Sequence, residues 1–354
     1  MEGLVDSRDR RNYGAGRRLI DFRVRAALAH RTAKLNGTGT KCEEQIRSGL
    51  ASLADHLQAS FNVNALEKVT PVHMVSWVGA LKKILTAGDL STSTTSSYVS
   101  AVNQVCHYLG RQDLVISAQG HGVNRGLRYK NENLSNSAES RNAFRAWTEI
   151  KAATAQDERK KLMFQALYHS VSLQEYGGLR LRESALVKLA GRDISGGTLA
   201  LNRMDGTKNG RDRVASLLNS EAVEATADFV QEHQDVFRRG SLVPADMRWL
   251  EYRRWLYDRL EDFRKESGLS YNYHGNRHAY AHARFSHLWI AQTGVYLDPP
   301  VKTGKFGEEW ILDASRETGL SRDFVEVLDK AIREEISSDL GHYRVAITNS
   351  YLGR

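Results

Sequence analysis

Cysteine and proline are scarce in this chain. Of 354 residues only Cys42 and Cys106 are cysteines. That is too few for a disulfide framework or an all-cysteine zinc site, so both read as reduced core thiols and redox chemistry is not expected. Only four prolines occur, two of them as the pair Pro299 and Pro300. No stretch approaches the roughly 18 apolar residues of a membrane-spanning helix, so a soluble protein is expected, with no membrane partner. The first residues, MEGLVDSRDRRNYGAGRR, carry arginines with no apolar run behind them, which argues against a secretory signal and for the cytoplasm, with nucleoid association. What remains is ordinary globular composition, 41% hydrophobic and 26% charged. At roughly 150 residues per domain, the length predicts about two domains.

Charge gives the first functional hint. Fifty Lys and Arg stand against 42 Asp and Glu, a net charge of +8, which favours polyanionic partners and nucleic acid above all. Residues 1–35 hold nine basic and four acidic residues. This segment, within an expected arm over residues 1–40, reads either as a backbone-seeking arm or as a solvated terminus.

NGTGT at 36–40 interrupts the chain, and helical patterns run from about Cys42 to Leu109. Leu90–Gly110 opens with Ser and Thr capping candidates and continues with Tyr98, Val102, Val105 and Leu109 at helical spacing. This predicts a small helical domain over 41–130. The polar stretch KNENLSNSAESR lacks apolar periodicity, so residues 131–144 are expected to be a linker. Beyond it, a helix is expected around Asp157–Glu175, stopped at Gly177 and Gly178, and a second at Glu183–Leu189. Short strands around Thr198–Asn202 and Val214–Leu217 are joined by a basic, Gly-containing turn, and helices resume at Glu221–Phe237, Met247–Ser267, His278–Gln292 and Ser321–Ser337. The fold class is mostly α with a small antiparallel β-sheet.

Four separated segments carry chemistry. They are Gly178-Leu-Arg180 with Glu183 three residues on, Thr207-Lys208 on the hairpin turn, His274-Gly-Asn-Arg277-His278, and Leu340-Gly-His342 followed nine residues later by Tyr351. Two arginines, a lysine, histidines and a tyrosine suit a phosphodiester. Guanidinium forks match the extra charge that develops on its non-bridging oxygens, the task of Arg180 and Arg277. A phenol with a pKa near 10 needs nearby cations and a proton acceptor to attack at neutral pH, and His274 or His342 supplies both to Tyr351. Lys208 is placed to protonate the departing sugar oxygen. With the charge handled by side chains, no metal is required.

In this order, these segments resemble the tyrosine recombinase family, the phage-integrase type of site-specific recombinase. The family's first arginine box matches Gly178, Leu179, Arg180 and Glu183, and its hairpin lysine matches Lys208. Its His-x-x-Arg-His box matches His274, Arg277 and His278, and its Leu-Gly-His with a tyrosine nine residues later matches Leu340, Gly341, His342 and Tyr351. The resemblance covers residues 145–354 as a catalytic domain, and 41–130 resembles the family's core-binding domain in pattern only. It implies a two-domain clamp on double-stranded DNA core sites with inverted repeats. Arg180, Lys208, His274, Arg277, His342 and Tyr351 would be catalytic there, with Glu183 and His278 supporting. Cleavage would give a 3'-phosphotyrosine and a free 5'-hydroxyl without metal, cofactor or ATP. Four protomers would act on two DNA sites, in DNA integration or other movement of a mobile genetic element, with accessory DNA-bending proteins as an open addition.

Three features depart from the family pattern. Asn276 stands where leucine is usual. Arg277 and His342 are 65 residues apart, more than is common, which marks 298–322 as an insertion. Only Leu352, Gly353 and Arg354 follow Tyr351, too few for the terminal helix that family members often pass to a neighbouring subunit. Phe306, Trp310, Ile311 and Leu312 of the insertion are therefore expected either to anchor contacts between protomers or to pack on their own domain. Rival readings are relaxation of the type IB topoisomerase kind, a non-catalytic DNA-binding regulator, and a zinc site on His274, His278 and His282. Arg277 between those histidines opposes the last.

Overall fold

The computed structural model describes residues 40–354 except 64–65, 124–130, 191, 193, 195, 238–239 and 343. The basic arm therefore lies outside the described residues. Two compact units are present, one up to Leu127 and the other from Arg128.

In the first unit, helices α1 (Thr40–Phe61), α2 (Pro71–Ala87) and α3 (Thr92–Tyr108) enclose one core. Its centre is formed by Leu50, Leu53 and Leu57, by Met74, Trp77 and Leu81, and by Val99, Val102 and Val105. The Ser-rich start of α3 is capped as its composition predicts, with Ser91 Oγ accepting from Thr94 N–H at 3.1 Å. Cys106 is a buried, free thiol.

The second unit begins with α4 (Ala138–Ala153) and α5 (Glu158–Gly177). The stretch expected to be linker is thus helical from Ala138 onward. Ser137 caps this helix, and Phe144 and Trp147 seat it in a core with Phe263 and Tyr271. Two aromatic anchors in a polar sequence are enough to fix it, which periodicity alone did not register.

Helix α5 ends at Gly177, and Gly178 follows at φ 60°. A Cβ at Gly178 would lie 2.5 Å from Tyr280 Cδ1, so both the left-handed turn and the ring behind it require glycine. The short α6 (Leu181–Leu186) leads to an antiparallel hairpin, β1 (Thr198–Leu201) and β2 (Arg213–Ser216), paired from Thr198 with Ser216 to Leu201 with Arg213. α7 (Ser220–Glu232) and α8 (Trp249–Ser267) follow.

α9 (Tyr273–Thr293) is the structural axis of this unit. It starts five residues earlier than the apolar pattern indicates, because Asn272 caps it by accepting from Gly275 N–H at 2.7 Å. The departure at Asn276 has a packing reason. Its buried amide accepts from Asn136 Nδ2 at 2.7 Å and donates to Tyr271 Oη at 2.6 Å, so a satisfied polar clasp replaces an apolar contact.

The inserted segment forms α10 (Pro300–Thr303) and α11 (Glu308–Thr318), then α12 (Arg322–Asp339) and α13 (Val345–Leu352) complete the chain. Trp310 is 4% exposed and packs on Phe285 and Trp289 of α9. Of the two roles weighed for the insertion's aromatics, Trp310 therefore takes the structural one. Among the described helices, none is long and apolar enough to cross a membrane.

Candidate active site

Four elements bring the four sequence segments together: the turn into α6, the β1–β2 connection, the first turn of α9 and the α12–α13 region. Arg180 precedes α6, and Glu183 sits in that helix's first turn. Arg180 donates through its backbone N–H to Glu183 Oε2 (2.8 Å) and through Nη1 to Oε1 (2.6 Å). Glu183 is fully buried. Desolvation alone would raise its pKa, but the charges of Arg213, Arg180 and Arg277 hold the carboxyl down at about 2.

Arg277 is fully buried on α9. Its Nη1 donates to the Gly178 carbonyl and its Nη2 to that of Leu340, while Nη2 also reaches His342 Nε2 at 3.3 Å. Nε points at Tyr351 Oη, 3.4 Å away. Three guanidinium groups thus surround one carboxylate, leaving buried positive charge in excess. An arrangement of that kind is stabilised by a bound anion.

Tyr351 lies on α13 and is 4% exposed. A stripe of histidines on α9, four residues apart, contacts it at three points. His274 Nε2 is 3.4 Å from Tyr351 Oη. The His278 ring stacks on the phenol at 4.3 Å between centroids and 28°. His282 Nε2 donates to the Tyr351 carbonyl at 2.7 Å. The spacing that suggested metal ligands instead serves one tyrosine.

Partial burial and the charges of Arg277, Arg180 and Lys208 lower the His274 pKa to about 4. Burial, the same three cations and Arg213 take His342 to about 3. Both imidazoles are therefore neutral at pH 7 and able to accept a proton. Lys208 is exposed in the Lys208–Gly210 turn between the strands, and its charge acts on both rings.

Sequence reasoning missed the residues behind this set. Arg213 is buried and donates through Nη2 to Glu183 Oε2 at 2.8 Å and through Nη1 to the Asp339 carbonyl. Its signal was available: strand alternation puts Arg213 on the same inward side as Ala215, where an arginine needs a partner. Asp339 accepts from Ser216 Oγ (2.9 Å) and Arg284 Nε (3.0 Å), fixing the chain just before Leu340 and His342. Asp205 is buried and accepts from Arg192 and from the Asn202 N–H, anchoring the connection that carries Lys208.

These groups make the unit acid-sensitive. Burial, together with neighbouring cations at some sites, lowers His169, His278, His282 and His342 to between about 3 and about 4. Their contribution is complete above the ordinary value of 6.5 and is lost as pH falls through the lowered values. Glu183 acts in the same direction between 4.5 and about 2. The melting temperature is expected to hold from pH 8 to about 6.5 and then fall steadily. A melting temperature unchanged between pH 7 and pH 4 would contradict this.

A mostly helical chain with a single two-stranded hairpin among its described residues, and with the arginine segments converging on a tyrosine near the last helix end, has the tyrosine recombinase/integrase fold. It is similar to the XerH site-specific recombinase bound to difH substrate in a pre-cleavage complex, with a TM-score of 0.55 at 12% identity, covering 95% of this chain and 80% of that one. The post-cleavage complex of XerH with palindromic difH substrate gives 0.50 at 14% identity, covering 92% and 85%. The Tn1549 transposon integrase in complex with circular intermediate DNA has a TM-score of 0.48 at 13% identity, covering 94% and 95%. No family model matches the chain, and no curated protein sequence matches it.

Proposed function

We propose that this chain is a site-specific DNA recombinase of the integrase type, with Tyr351 as the nucleophile. The observation that carries the reading is the Tyr351 hydroxyl, 3.4 Å from both Arg277 Nε and His274 Nε2 of its own chain, beside a buried excess of guanidinium charge. A DNA phosphodiester meets Arg180 first, because that side chain is 21% exposed whereas Arg277 is fully buried. Both forks then take up the non-bridging oxygens.

Tyr351 Oη attacks phosphorus as its proton passes to neutral His274. The entering phosphate offsets the cations that depress this imidazole, so its basicity rises when it is needed. Arg277 and His342 stabilise the charge that builds on the phosphoryl oxygens. The 5'-oxygen leaves with a proton from Lys208, and a 3'-phosphotyrosine remains. A 5'-hydroxyl from another strand reverses these steps and restores the diester, so no ATP is consumed. Glu183 and Arg213 hold Arg180 and Arg277 in register, and His278 fixes the phenol plane.

The XerH structures contain difH substrate, and that likeness supports DNA as the partner of this chain. On the recombinase reading the DNA is double-stranded and bears inverted core sites, and four protomers act at two sites. The basic N-terminal segment adds phosphate contacts, and accessory DNA-bending proteins are compatible with this assembly.

A nicked core-site duplex, from which the short cleaved fragment escapes, tests the reading. The wild-type chain should remain on DNA in a complex resistant to detergent, in the presence of chelator. Absence of the adduct on every flanking repeat of the element that encodes the chain would refute it.

The role of Lys208 is separable from charge attraction. Lys208→Ala should cleave poorly on an ordinary substrate, whereas a 5'-thio leaving group needs little protonation and should recover most of the lost rate. An equal defect on both substrates would assign Lys208 to phosphate binding alone.

A further inference from the structure

We propose that the inserted segment 298–322 is a brace for the tyrosine helix, and that Arg333 is the positioning residue that completes it. The proposal rests on the reading of Tyr351 as nucleophile for its functional consequence, but not for its structural content.

The contacts converge on Gly353, the residue that ends α13. Gly353 has φ 78°, and a Cβ there would lie 2.9 Å from Phe306 Cε1 and 3.0 Å from the Val301 backbone nitrogen. Only glycine brings the chain this close to the insertion. Arg333 Nη1 donates to the Gly353 carbonyl (2.7 Å) and to Asn349 Oδ1 (3.0 Å), while its Nε is fixed by Asp329 Oδ2 at 2.7 Å. Arg333 is 6% exposed, and its guanidinium lies over the Phe285 ring.

The insertion is itself anchored to α9. Trp310 packs on Phe285 and Trp289 and donates through Nε1 to the Asp298 carbonyl at 3.1 Å. A cleft of about 380 Å³, bordered by Pro300, Ile311, Lys330 and Val345 and by Arg333 and Asn349 themselves, lies between the insertion, α12 and α13. The middle of the helix is held by its own packing, with Thr348 fully buried and Ile347 against the core, and the contacts at Gly353 fix its last turn, next to Tyr351. The His282 bond to the Tyr351 carbonyl closes the same turn from α9. The nucleophile is thus held through its own helix end, independently of any contact to its hydroxyl.

Two variants test this, each sparing Arg180, Lys208, His274, Arg277, His342 and Tyr351. Phe306→Ala removes the brace contact. Arg333→Lys keeps the charge opposite Asp329 but cannot span Asn349 and Gly353 as a fork does. In both, the amides of 345–353 should lose hydrogen-exchange protection while those of α5 and α9 keep theirs. Covalent adduct formation should fall by about 100-fold in Arg333→Lys, the cost of a displacement near 1 Å at a reacting centre.

A tyrosine-independent reaction separates positioning from general damage. In the Tyr351→Phe background, a 5'-hydroxyl attacks a strand ending in 3'-(4-nitrophenyl phosphate), forming the diester and expelling 4-nitrophenolate. This ligation should proceed at the same rate with and without Arg333→Lys. Equal losses in cleavage and ligation would overturn the proposal, as would unchanged exchange at 345–353 in both variants. Lost protection with no adduct even in wild type would support the brace and refute Tyr351 as nucleophile.

Discussion

Tyr351→Phe is expected to bind core-site DNA with unchanged affinity and to form no covalent adduct. The substitution removes one oxygen, whose contacts to Arg277 Nε and His274 Nε2 are both 3.4 Å and contribute little to folding. Everything that holds the ring survives the change. His278 still stacks on it, His282 still bonds the carbonyl, and Arg333 still pins the helix end. Melting temperature and electrophoretic DNA binding should therefore match wild type, while detergent-resistant complexes on the nicked duplex disappear. An adduct formed by the Phe variant would assign the nucleophile to another residue.

The candidate site was legible because its arrangement depends on residue types at short, fixed separations. Gly178 must adopt a left-handed turn, Glu183 must lie one turn after Arg180, and His274 and Arg277 must share a helix face. Each of those constraints is local and leaves a mark in the sequence. The supporting layer is not local. Arg213 meets Glu183 across 30 positions and the Asp339 carbonyl across 126, so no periodicity connects them. Asn276 reads as a departure only until Asn136, 140 residues earlier, is seen to fill the same space.

Element boundaries failed for two reasons, one a local cap and the other distant contacts. α9 begins at Tyr273 through a cap rather than an apolar pattern, and α4 begins at Ala138 because Phe144 and Trp147 find partners beyond Leu256 in sequence. The insertion divided along this line too. Its aromatic content was visible, but whether Trp310 faced solvent or α9 was decided by Phe285 and Trp289.

The second large effect is expected at Arg277, where chemistry and stability are both at stake. Loss of one preorganised donor to a developing oxyanion typically costs about 100- to 1000-fold in rate, and Arg277→Ala should lose at least that in cleavage. The same change removes the donor to the Gly178 and Leu340 carbonyls and one of the three charges around Glu183. The Leu340 carbonyl keeps only its 3.4 Å contact from Arg180 Nη2, and a buried acceptor left without a partner, as the Gly178 carbonyl is, costs about 1–3 kcal/mol, so a lower melting temperature accompanies the rate loss.

Two comparisons separate these effects. Arg180→Ala removes a partly exposed guanidinium whose polar contacts are to Glu183 and the Leu340 carbonyl, so it should cleave as poorly while melting closer to wild type. Arg277→Lys keeps the charge inside the site but not the fork that spans Gly178, Leu340 and Tyr351, so it should recover stability more than cleavage. Single-turnover cleavage at saturating protein, measured well below every variant's melting temperature, reads the chemical term alone. Wild-type cleavage by Arg277→Ala under those conditions would remove Arg277 from the reaction and leave it as a buried structural cation.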